Sequence, residues 1–436
     1  VAFGPRTTLL LLVGLVWLVP AFIDRRFVLA MLAWDGLVLL AWIADVRRLP
    51  SPSALIVRRT WLAPPALSVR STVQIAIENR STVTVSARVV DAVPTRLRPD
   101  PPQLAFTVSP GGEASGTYDI TPVRRGEAPI AGVFIRYQSA WRLAERWARA
   151  DVKQVPLACP DLELARSQSI YLVRSRQIEM EKRSARVRGT GRAFESLRDY
   201  RPGDELRDVC WTASARRARL VTRQYEIERS QTVWLVLDAG RLMRARVAGL
   251  SKLDHAVNAA LALAQVALGT GDRVGVLGYG RRITLRLPAS HGSTHLRRIV
   301  ERLARLDEDD WEGDHLLAAG RLLSDQKRRS LIVWLTDLSE TAMTPEVVRA
   351  ATQLMTRHVV MFVVIGEPDL RRVAERRPGG VHEMYESAAA QDVLYRRERL
   401  LGNLREGGAL AFETTSSRLA AVLVNSYLDL KQRNRL

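Results

Sequence analysis

The sequence has little cysteine. Only Cys159 and Cys210 occur among its 436 residues, and a wide interval separates them. Two such residues cannot build the disulfide framework of a small secreted domain, and their separation does not match the spacing of a zinc site. The near-absence of cysteine therefore excludes both classes and favours a reducing compartment.

Lysine is also scarce, since it supplies only five of the 65 basic residues. The net charge of +19 is therefore carried almost entirely by arginine. A positive charge of this size favours contact with anionic lipid headgroups, nucleic acid or an acidic protein. A GC-rich genome produces the same enrichment, and composition alone does not separate these explanations.

The usual catalytic motifs are missing as well. Gly189-Thr190-Gly191 is not followed by the Gly-Lys-Ser/Thr of a phosphate-binding loop. Neither a nucleophile elbow nor a serine or cysteine triad arrangement can be identified. The sequence therefore predicts a protein that is not an enzyme.

Long apolar runs are confined to the N-terminal region. Residues Thr8 to Ile23 form one run, and Phe27 to Ala44 form a second that is interrupted only by Asp35. Each is close to the ~17–25 residues that a membrane-spanning helix needs. Residues 1–50 are therefore predicted to form a transmembrane helical hairpin. The alternative, a signal peptide followed by a core helix, lacks a small-residue cleavage site before the second run.

Arginines near the two runs predict the orientation of the hairpin. Five lie on the outer flanks and two in the turn: Arg6, Arg47, Arg48, Arg58 and Arg59 against Arg25 and Arg26. The positive-inside rule then gives a two-pass protein of the inner membrane with both termini and the soluble domains in the cytoplasm. For Asp35, we expect a pair with Arg25 or Arg26, or an oligomer contact, rather than ion or proton handling.

The soluble part divides into three stretches. Residues 51–160 alternate apolar and polar side chains between turn signals, which predicts an all-β, immunoglobulin-like sandwich. Residues 161–230 mix arginines, acids and aromatics without a regular period. Residues 231–436 alternate strands with helices, beginning with the continuous apolar strand Thr232 to Asp238, which predicts an α/β domain with a parallel sheet.

The irregular stretch carries the most specific pattern in the chain. Its members share fixed offsets within about thirty residues: Phe194, Leu197, Arg198, Tyr200, Gly203, Asp204, Arg207, Trp211, Ala213, Ser214, Ala215, Arg216, Arg223 and Tyr225. This pattern resembles the signature of the domain-of-unknown-function 58 family. The sequence departs from that signature at Ala193, where the family usually has Glu, with Glu195 following the Phe.

The resemblance implies a membrane-anchored protein whose α/β domain is von Willebrand factor A-like, a Rossmann-like fold. It also implies a partnership with a MoxR-type AAA+ ATPase. The expected function is therefore that of a non-enzymatic adaptor in the assembly or maturation of protein complexes. The alternative is a basic protein that binds nucleic acid or anionic lipid; acids interspersed among the arginines of the signature make nucleic acid the weaker candidate. The client and the oligomeric state are not identified.

Within the signature, internal arginine–carboxylate pairing is the expected role. We expect Leu197, Tyr200 and Trp211 to be buried, with Arg198 and Arg207 paired to acids. In that case Trp211→Ala would destabilise the fold by about 3–5 kcal/mol.

The α/β domain has a degenerate metal site. The von Willebrand factor A-like resemblance implies two aspartates and several hydroxyl groups at the carboxyl ends of the strands, and the aspartates here are Asp238 and Asp337. The hydroxyl positions hold Gly240, Leu242 and Gly313, with Asp314 as a possible substitute. Arg241 is expected to neutralise the carboxylates. Because Mg²⁺ needs about six oxygen ligands, no divalent cation or other cofactor is expected.

Overall fold

The computed structural model describes residues 1–161, 193–201, 206, 209–226, 231–338 and 344–433. The chain divides into two compact units, Val1–Asp161 and Leu162–Leu436.

The first unit begins with a two-residue strand and apolar helices. These are β1 (Ala2–Phe3), α1 (Pro5–Gly14), α2 (Leu18–Ala21) and α3 (Arg26–Arg48). One helix, α3, is long and apolar enough to span a membrane, because 23 residues at 1.5 Å each cover about 34 Å. Helices α1 and α3 are in contact, and Trp34 Nε1 donates to the Leu10 carbonyl at 2.9 Å.

Asp35 lies in the middle of α3. Its Oδ1 is buried and has no hydrogen-bond partner within the described residues. It is packed against Gly14 of α1, where an added Cβ would lie 2.6 Å from that oxygen. The expected pairing with Arg25 or Arg26 is therefore not seen.

Two antiparallel sheets follow the helices. Their strands are β2 (Leu55–Trp61), β3 (Ser71–Asn79), β4 (Val85–Asp91), β5 (Gln103–Val108), β6 (Glu113–Ile120), β8 (Val133–Gln138) and β9 (Ala144–Ala150), and a small pair is formed by β7 (Gly126–Glu127) and β10 (Leu157–Ala158). One sheet has the order β1-β9-β8-β4-β5 and the other β2-β3-β6. The period-2 pattern of the sequence is preserved, since Val73, Ile75 and Ile77 of β3 are fully buried.

The N-terminal strand belongs to the first of these sheets. Ala2 is paired with Glu145 in an antiparallel register, and the Gly4 amide donates to the Leu143 carbonyl at 2.6 Å. The backbones approach so closely that a Cβ on Gly4 would lie 2.4 Å from the Arg142 carbonyl oxygen. Residues 2–4 are therefore held in place by the five-stranded sheet of the first unit.

The last turn of α3 is held by the same sheet. Asp45 is fully buried, and its Oδ2 accepts hydrogen bonds from the Leu143 amide at 3.0 Å and the Ala144 amide at 2.7 Å. Its Oδ1 accepts a third from Ser139. Both ends of the apolar helical segment thus contact the loop and strand around residues 139–145.

The second unit contains a small ribbon and an α/β sheet. The ribbon pairs β11 (Ala193–Asp199) with β12 (Val221–Glu226) in antiparallel fashion, and α4 (Trp211–Arg217) lies between them in sequence. The register places Phe194 opposite Tyr225.

The α/β sheet has six strands in the order β17-β16-β13-β18-β19-β20. They are β13 (Thr232–Asp238), β16 (Arg273–Tyr279), β17 (Ile283–Ser290), β18 (Leu331–Thr336), β19 (Val359–Gly366) and β20 (Leu410–Thr415), and a hairpin of β14 (Arg246–Val247) and β15 (Leu250–Ser251) follows β13. The helices are α5 (Lys252–Gly269), α6 (Ser293–Ala304), α7 (His315–Asp325), α8 (Thr344–Met355), α9 (Pro368–Glu375), α10 (Val381–Glu406) and α11 (Leu419–Gln432).

The sheet differs from the predicted all-parallel arrangement at one edge. Strand β17 is antiparallel to β16, because the two are joined directly by a short turn at Gly280 rather than by a crossover helix. The four central strands are buried on both faces, as their continuous apolar sequences predict.

Candidate functional site

The two aspartates singled out in the sequence meet at the carboxyl end of the sheet. Asp238 ends β13, and Asp337 directly follows β18, its parallel neighbour. Each is only 3% exposed. The two aspartates therefore lie at the ends of neighbouring parallel strands.

Asp238 is satisfied by the protein itself. Its Oδ1 accepts from the Gly240 amide at 2.8 Å, and its Oδ2 accepts from the Thr336 hydroxyl at 2.6 Å. Burial raises the pKa of this carboxyl above its ordinary value, and the two hydrogen bonds only partly oppose that effect. Thr336 was not singled out in the sequence, although it directly precedes Asp337.

Two glycines close the loops over Asp238. A Cβ on Gly313 would lie 2.6 Å from Asp238 Oδ1, and one on Gly240 would lie 2.6 Å from the Gly313 amide nitrogen. The loops are also bonded to each other, since the Arg241 amide donates to the Trp311 carbonyl at 2.9 Å. Two of the three positions where hydroxyl ligands are expected, 240 and 313, therefore have no room for a side chain.

Asp337 is neutralised by buried cations. Lys252 Nζ donates to Asp337 Oδ2 and to Glu367 Oε1. Arg397 Nη2 reaches Asp337 Oδ1 at 3.2 Å, while its Nη1 donates to Glu413 Oε1 at 2.9 Å. Lys252, Arg397 and Asp337 are 0%, 1% and 3% exposed, so these three members of the five-residue ionic cluster are shielded from water, whereas the side chains of Glu367 and Glu413 are 33% and 14% exposed.

Local structure positions the lysine. Ser251 is the N-cap of α5 and forms a reciprocal capping box with Asp254, which fixes the first turn of the helix. Lys252 is the first residue of that turn, and the helix carries it beneath the carboxyl end of β18. Its one signal in the sequence is that it is the only lysine of a helix rich in Ala, Leu and Val.

Two expectations about the surrounding residues were wrong. Asp314 is exposed and accepts from the Leu317 amide at 2.8 Å as the N-cap of α7, so it does not substitute for a missing ligand. Arg241 is half exposed and pairs with Glu312 at 2.9 Å. The cations bonded to the site carboxylates are instead Lys252 and Arg397, which the sequence analysis did not identify.

A buried aromatic network adjoins Asp238. Trp334 Nε1 donates to Tyr279 Oη at 2.7 Å, and that hydroxyl is 2.7 Å from His315 Nδ1. Burial lowers the pKa of His315 and raises that of Tyr279, so both groups are held neutral. A neutral imidazole that accepts at Nδ1 carries its proton on Nε2.

The donor set does not fit a divalent cation. Within the described residues, no three His, Cys, Asp or Glu side chains are arranged to hold a metal. The cavity between Asp238 and Asp337 measures about 10 Å³, which is at the lower limit for one water molecule. A buried ammonium group already balances Asp337, so a second cation there would be repelled.

The signature residues only partly behave as expected. Leu197 and Tyr200 are half-buried, whereas Trp211 is 65% exposed, so the expectation that Trp211 is buried was wrong. Trp211 begins α4, a two-turn helix whose buried contact is made by Ser214: the Ser214 hydroxyl accepts from the Val221 amide at 2.9 Å. The indole, at the first residue of this helix, is left largely in solvent.

The expected ion pairing of the signature can be followed only in part. Arg219 pairs with Asp199 at 2.9 Å across the ribbon, and both are exposed. Arg216 is also exposed. The side chains of Phe194, Arg198, Arg223 and Tyr225, and the residues Gly203, Asp204 and Arg207, lie outside the described part of the structure.

The similarity to known proteins includes this signature segment. A family model described as a protein of unknown function, DUF58, matches residues 196–375. The uncharacterised protein Rv1480 of Mycobacterium tuberculosis is 28% identical over 184 residues, or 42% of this chain and 57% of that protein. YeaD of Bacillus subtilis, also uncharacterised, is 23% identical over 195 residues, or 43% of this chain and 44% of that protein. The match thus spans about half the length of these curated relatives.

Solved structures give weaker likenesses. BatB from Bacteroides thetaiotaomicron, a conserved hypothetical protein, is 14% identical with a TM-score of 0.31, covering 47% of this chain and all of that one. Proximal thread matrix protein 1 of the mussel byssus is 13% identical with a TM-score of 0.30, covering 45% of this chain and 46% of that one. Structural similarities this weak do not identify a function. The family model and the uncharacterised relatives thus show that this part of the chain is similar to the DUF58 family.

Proposed function

We propose that this protein is a membrane-tethered, non-enzymatic adaptor that works with a MoxR-type AAA+ ATPase in the assembly or maturation of protein complexes. The observation that carries the proposal is the closed carboxyl end of the α/β sheet. In related von Willebrand factor A-like folds this end would present a metal; here Lys252 and Arg397 neutralise Asp337 from within. The domain then offers its partners a surface rather than a reactive centre.

A two-pass anchor is part of the proposal. Strand β1 pairs with β9, and Asp45 at the end of α3 bonds the amides of Leu143 and Ala144. The chain therefore leaves this sheet after β1 and returns to it at the end of α3. In this proposal the segment between these two points crosses the membrane an even number of times. This supports a hairpin in which α3 crosses the membrane and the shorter apolar segment Pro5–Pro20 crosses back.

The positive-inside rule places the immunoglobulin-like sandwich and the von Willebrand factor A-like domain in the cytoplasm. Reporters fused before Val1 and after Leu436 should both be active there. A cysteine introduced at Phe22 should react with an impermeant thiol reagent from the outside of intact cells. Periplasmic activity of either reporter would contradict the placement.

The signature supplies the docking surface in this proposal. Leu206, Trp211 and Leu220 are 67%, 65% and 45% exposed, and Arg216 and Arg217 lie on the same short helix as Trp211. Exposed tryptophan flanked by arginine is the composition of interface hot spots. A partner that covers Trp211 would bury an apolar surface that the described structure leaves in water.

Co-purification from gently solubilised membranes, with and without the ATPase, tests the proposal. Wild-type protein should retain the ATPase, and Trp211→Ala should lose about 2 kcal/mol of binding, or roughly thirtyfold in affinity. Trp147→Ala is the matched control, because Trp147 is 66% exposed on the sandwich. Equal retention by both variants, or no ATPase with the wild type, would refute the adaptor role.

A further inference from the structure

A large basic cleft opens at the amino end of the α/β sheet, away from the two aspartates. It is lined by the starts of β13 and β16, the edge strand β17 and the segment after α7. Its charged and titratable lining residues are Arg273, Arg286, His291, Asp325, Lys327, Arg328 and Arg329. Five permanent cations thus face one carboxylate.

That carboxylate is already engaged. Arg286 donates to both oxygens of Asp325, at 2.7 and 2.8 Å, in a bidentate pair. Arg273 and Lys327 donate to the carbonyls of Ala289 and Leu323, at 3.1 and 3.3 Å, and not to a carboxylate. Arg328 is exposed, and its side chain makes no hydrogen bond or ion pair in the described part of the chain. These three cations therefore carry positive charge that the carboxylate of the cleft does not balance.

The dimensions favour an extended ligand. The cleft volume is about 1330 Å³, larger than the ~300–1,000 Å³ of ordinary small-molecule sites. Pro288 and Ala289 add apolar surface beside the cations. A stretch of polypeptide matches this combination of length, apolar surface and charge.

Two other anionic partners fit less well. Single-stranded nucleic acid is held by stacking bases on exposed aromatic rings, but the aromatic lining residue, Trp234, is 2% exposed and its Nε1 contacts Gln326 at 3.4 Å. A bilayer surface is broad and flat, so its headgroups would meet the rim of a cleft and not its walls.

We propose that this cleft binds an acidic segment of a partner polypeptide. Arginine forms two parallel hydrogen bonds with a carboxylate, as Arg286 already does with Asp325. Successive Glu or Asp side chains of such a segment meet Arg273 and Arg328 in the same way, and the ammonium group of Lys327 adds a single charged contact. This inference does not depend on the identity of the ATPase or on the exposed Trp211.

The test measures the binding of a fluorescent decapeptide with six glutamates to the full chain in detergent. Fluorescence anisotropy of the peptide is the readout. Arg273→Glu combined with Arg328→Glu should weaken peptide binding at least about tenfold, because two attractive contacts become repulsive. The matched control is Arg349→Glu with Arg399→Glu. These two arginines are exposed on α8 and α10, outside the cleft, and the net charge changes equally.

The control pair should change affinity by less than about twofold. Equal weakening by both pairs would mean that binding follows net charge alone, and the cleft would not be a site. An oligothymidylate that binds more tightly than the peptide and competes with it would assign the cleft to nucleic acid instead. Tighter binding to phosphatidylserine vesicles, lost in the Arg273 and Arg328 variant, would likewise overturn the proposal.

Discussion

Charged side chains are arranged in opposite ways at the two ends of the α/β sheet. At the carboxyl end, Asp337 and Glu367 are neutralised by the buried Lys252, and two glycines close the loops over Asp238. At the amino end, arginines line an open cleft with a single carboxylate among them. Parallel α/β folds usually bind ligands at the carboxyl end. In this chain, the charge that is available to a ligand lies at the other end.

The difference shows what burial does to a charge. An ion pair removed from water has to be complete, because an unpaired member costs several kcal/mol, so a cluster of this kind is fixed in composition. Exposed cations such as Lys327 and Arg328 carry no such constraint and can pair with another molecule. The carboxyl end is therefore built for stability of the domain, and the amino end for contact.

The largest effect is expected from breaking the buried cluster. Lys252→Met keeps most of the side-chain volume but leaves Asp337 and Glu367 without their ammonium partner. The free energy of unfolding should fall by about 3–5 kcal/mol in denaturant titration. Arg328→Met, at the open end, is the control and should change it by less than about 0.5 kcal/mol. Similar losses for both would remove the distinction between the two ends.

A smaller effect is expected from pH. Burial lowers the pKa of His315 below its ordinary 6.5, so in the acid range the unfolded chain binds a proton that the folded domain does not. Stability should therefore fall as pH drops from 6.5 towards the folded pKa, at up to about 1.4 kcal/mol per pH unit. His315→Asn should flatten this slope in chemical denaturation.

His358 is also buried with a lowered pKa, so part of the slope should persist in the His315 variant. A slope identical to wild type in His315→Asn would show that the buried network does not exclude the proton.

No measurable effect is expected from divalent cations. Calorimetric titration with Mg²⁺ or Mn²⁺ should detect no binding tighter than millimolar, because Gly240 and Gly313 leave no room for ligands and Lys252 supplies the balancing charge. Asp238→Ala should lower stability without changing any response to metal. Micromolar binding that this substitution abolishes would reverse the interpretation of the carboxyl end.

Much of the α/β domain could be predicted from sequence, because buried parallel strands are continuous apolar runs. Thr232–Asp238 and Leu331–Thr336 are the clearest, and their ends correctly located Asp238 and Asp337. Lys252 could not be predicted. Its role depends on Glu367 and Asp337, which are 115 and 85 residues away, and a lysine that begins a helix is ordinarily solvated.

Trp211 was misjudged for a related reason. An aromatic residue in a dense family signature is compatible with a packed core or with a binding surface, and sequence spacing does not separate them. Only the structure does so: Trp211 begins α4 and is 65% exposed, while Ser214 of the same helix is buried and accepts from the Val221 amide. Strand β1 was missed because two residues are too few to show a period.

That two-residue strand has a consequence for how the chain is assembled. Ala2 is made before its partner Glu145, which follows about 140 residues later and so is made roughly 7–30 s later at ~5–20 residues per second. The apolar helices between them are complete long before that. Strand β1 therefore stays unpaired until β9 has been made, and its pairing marks the point at which the last strand of that sheet is available.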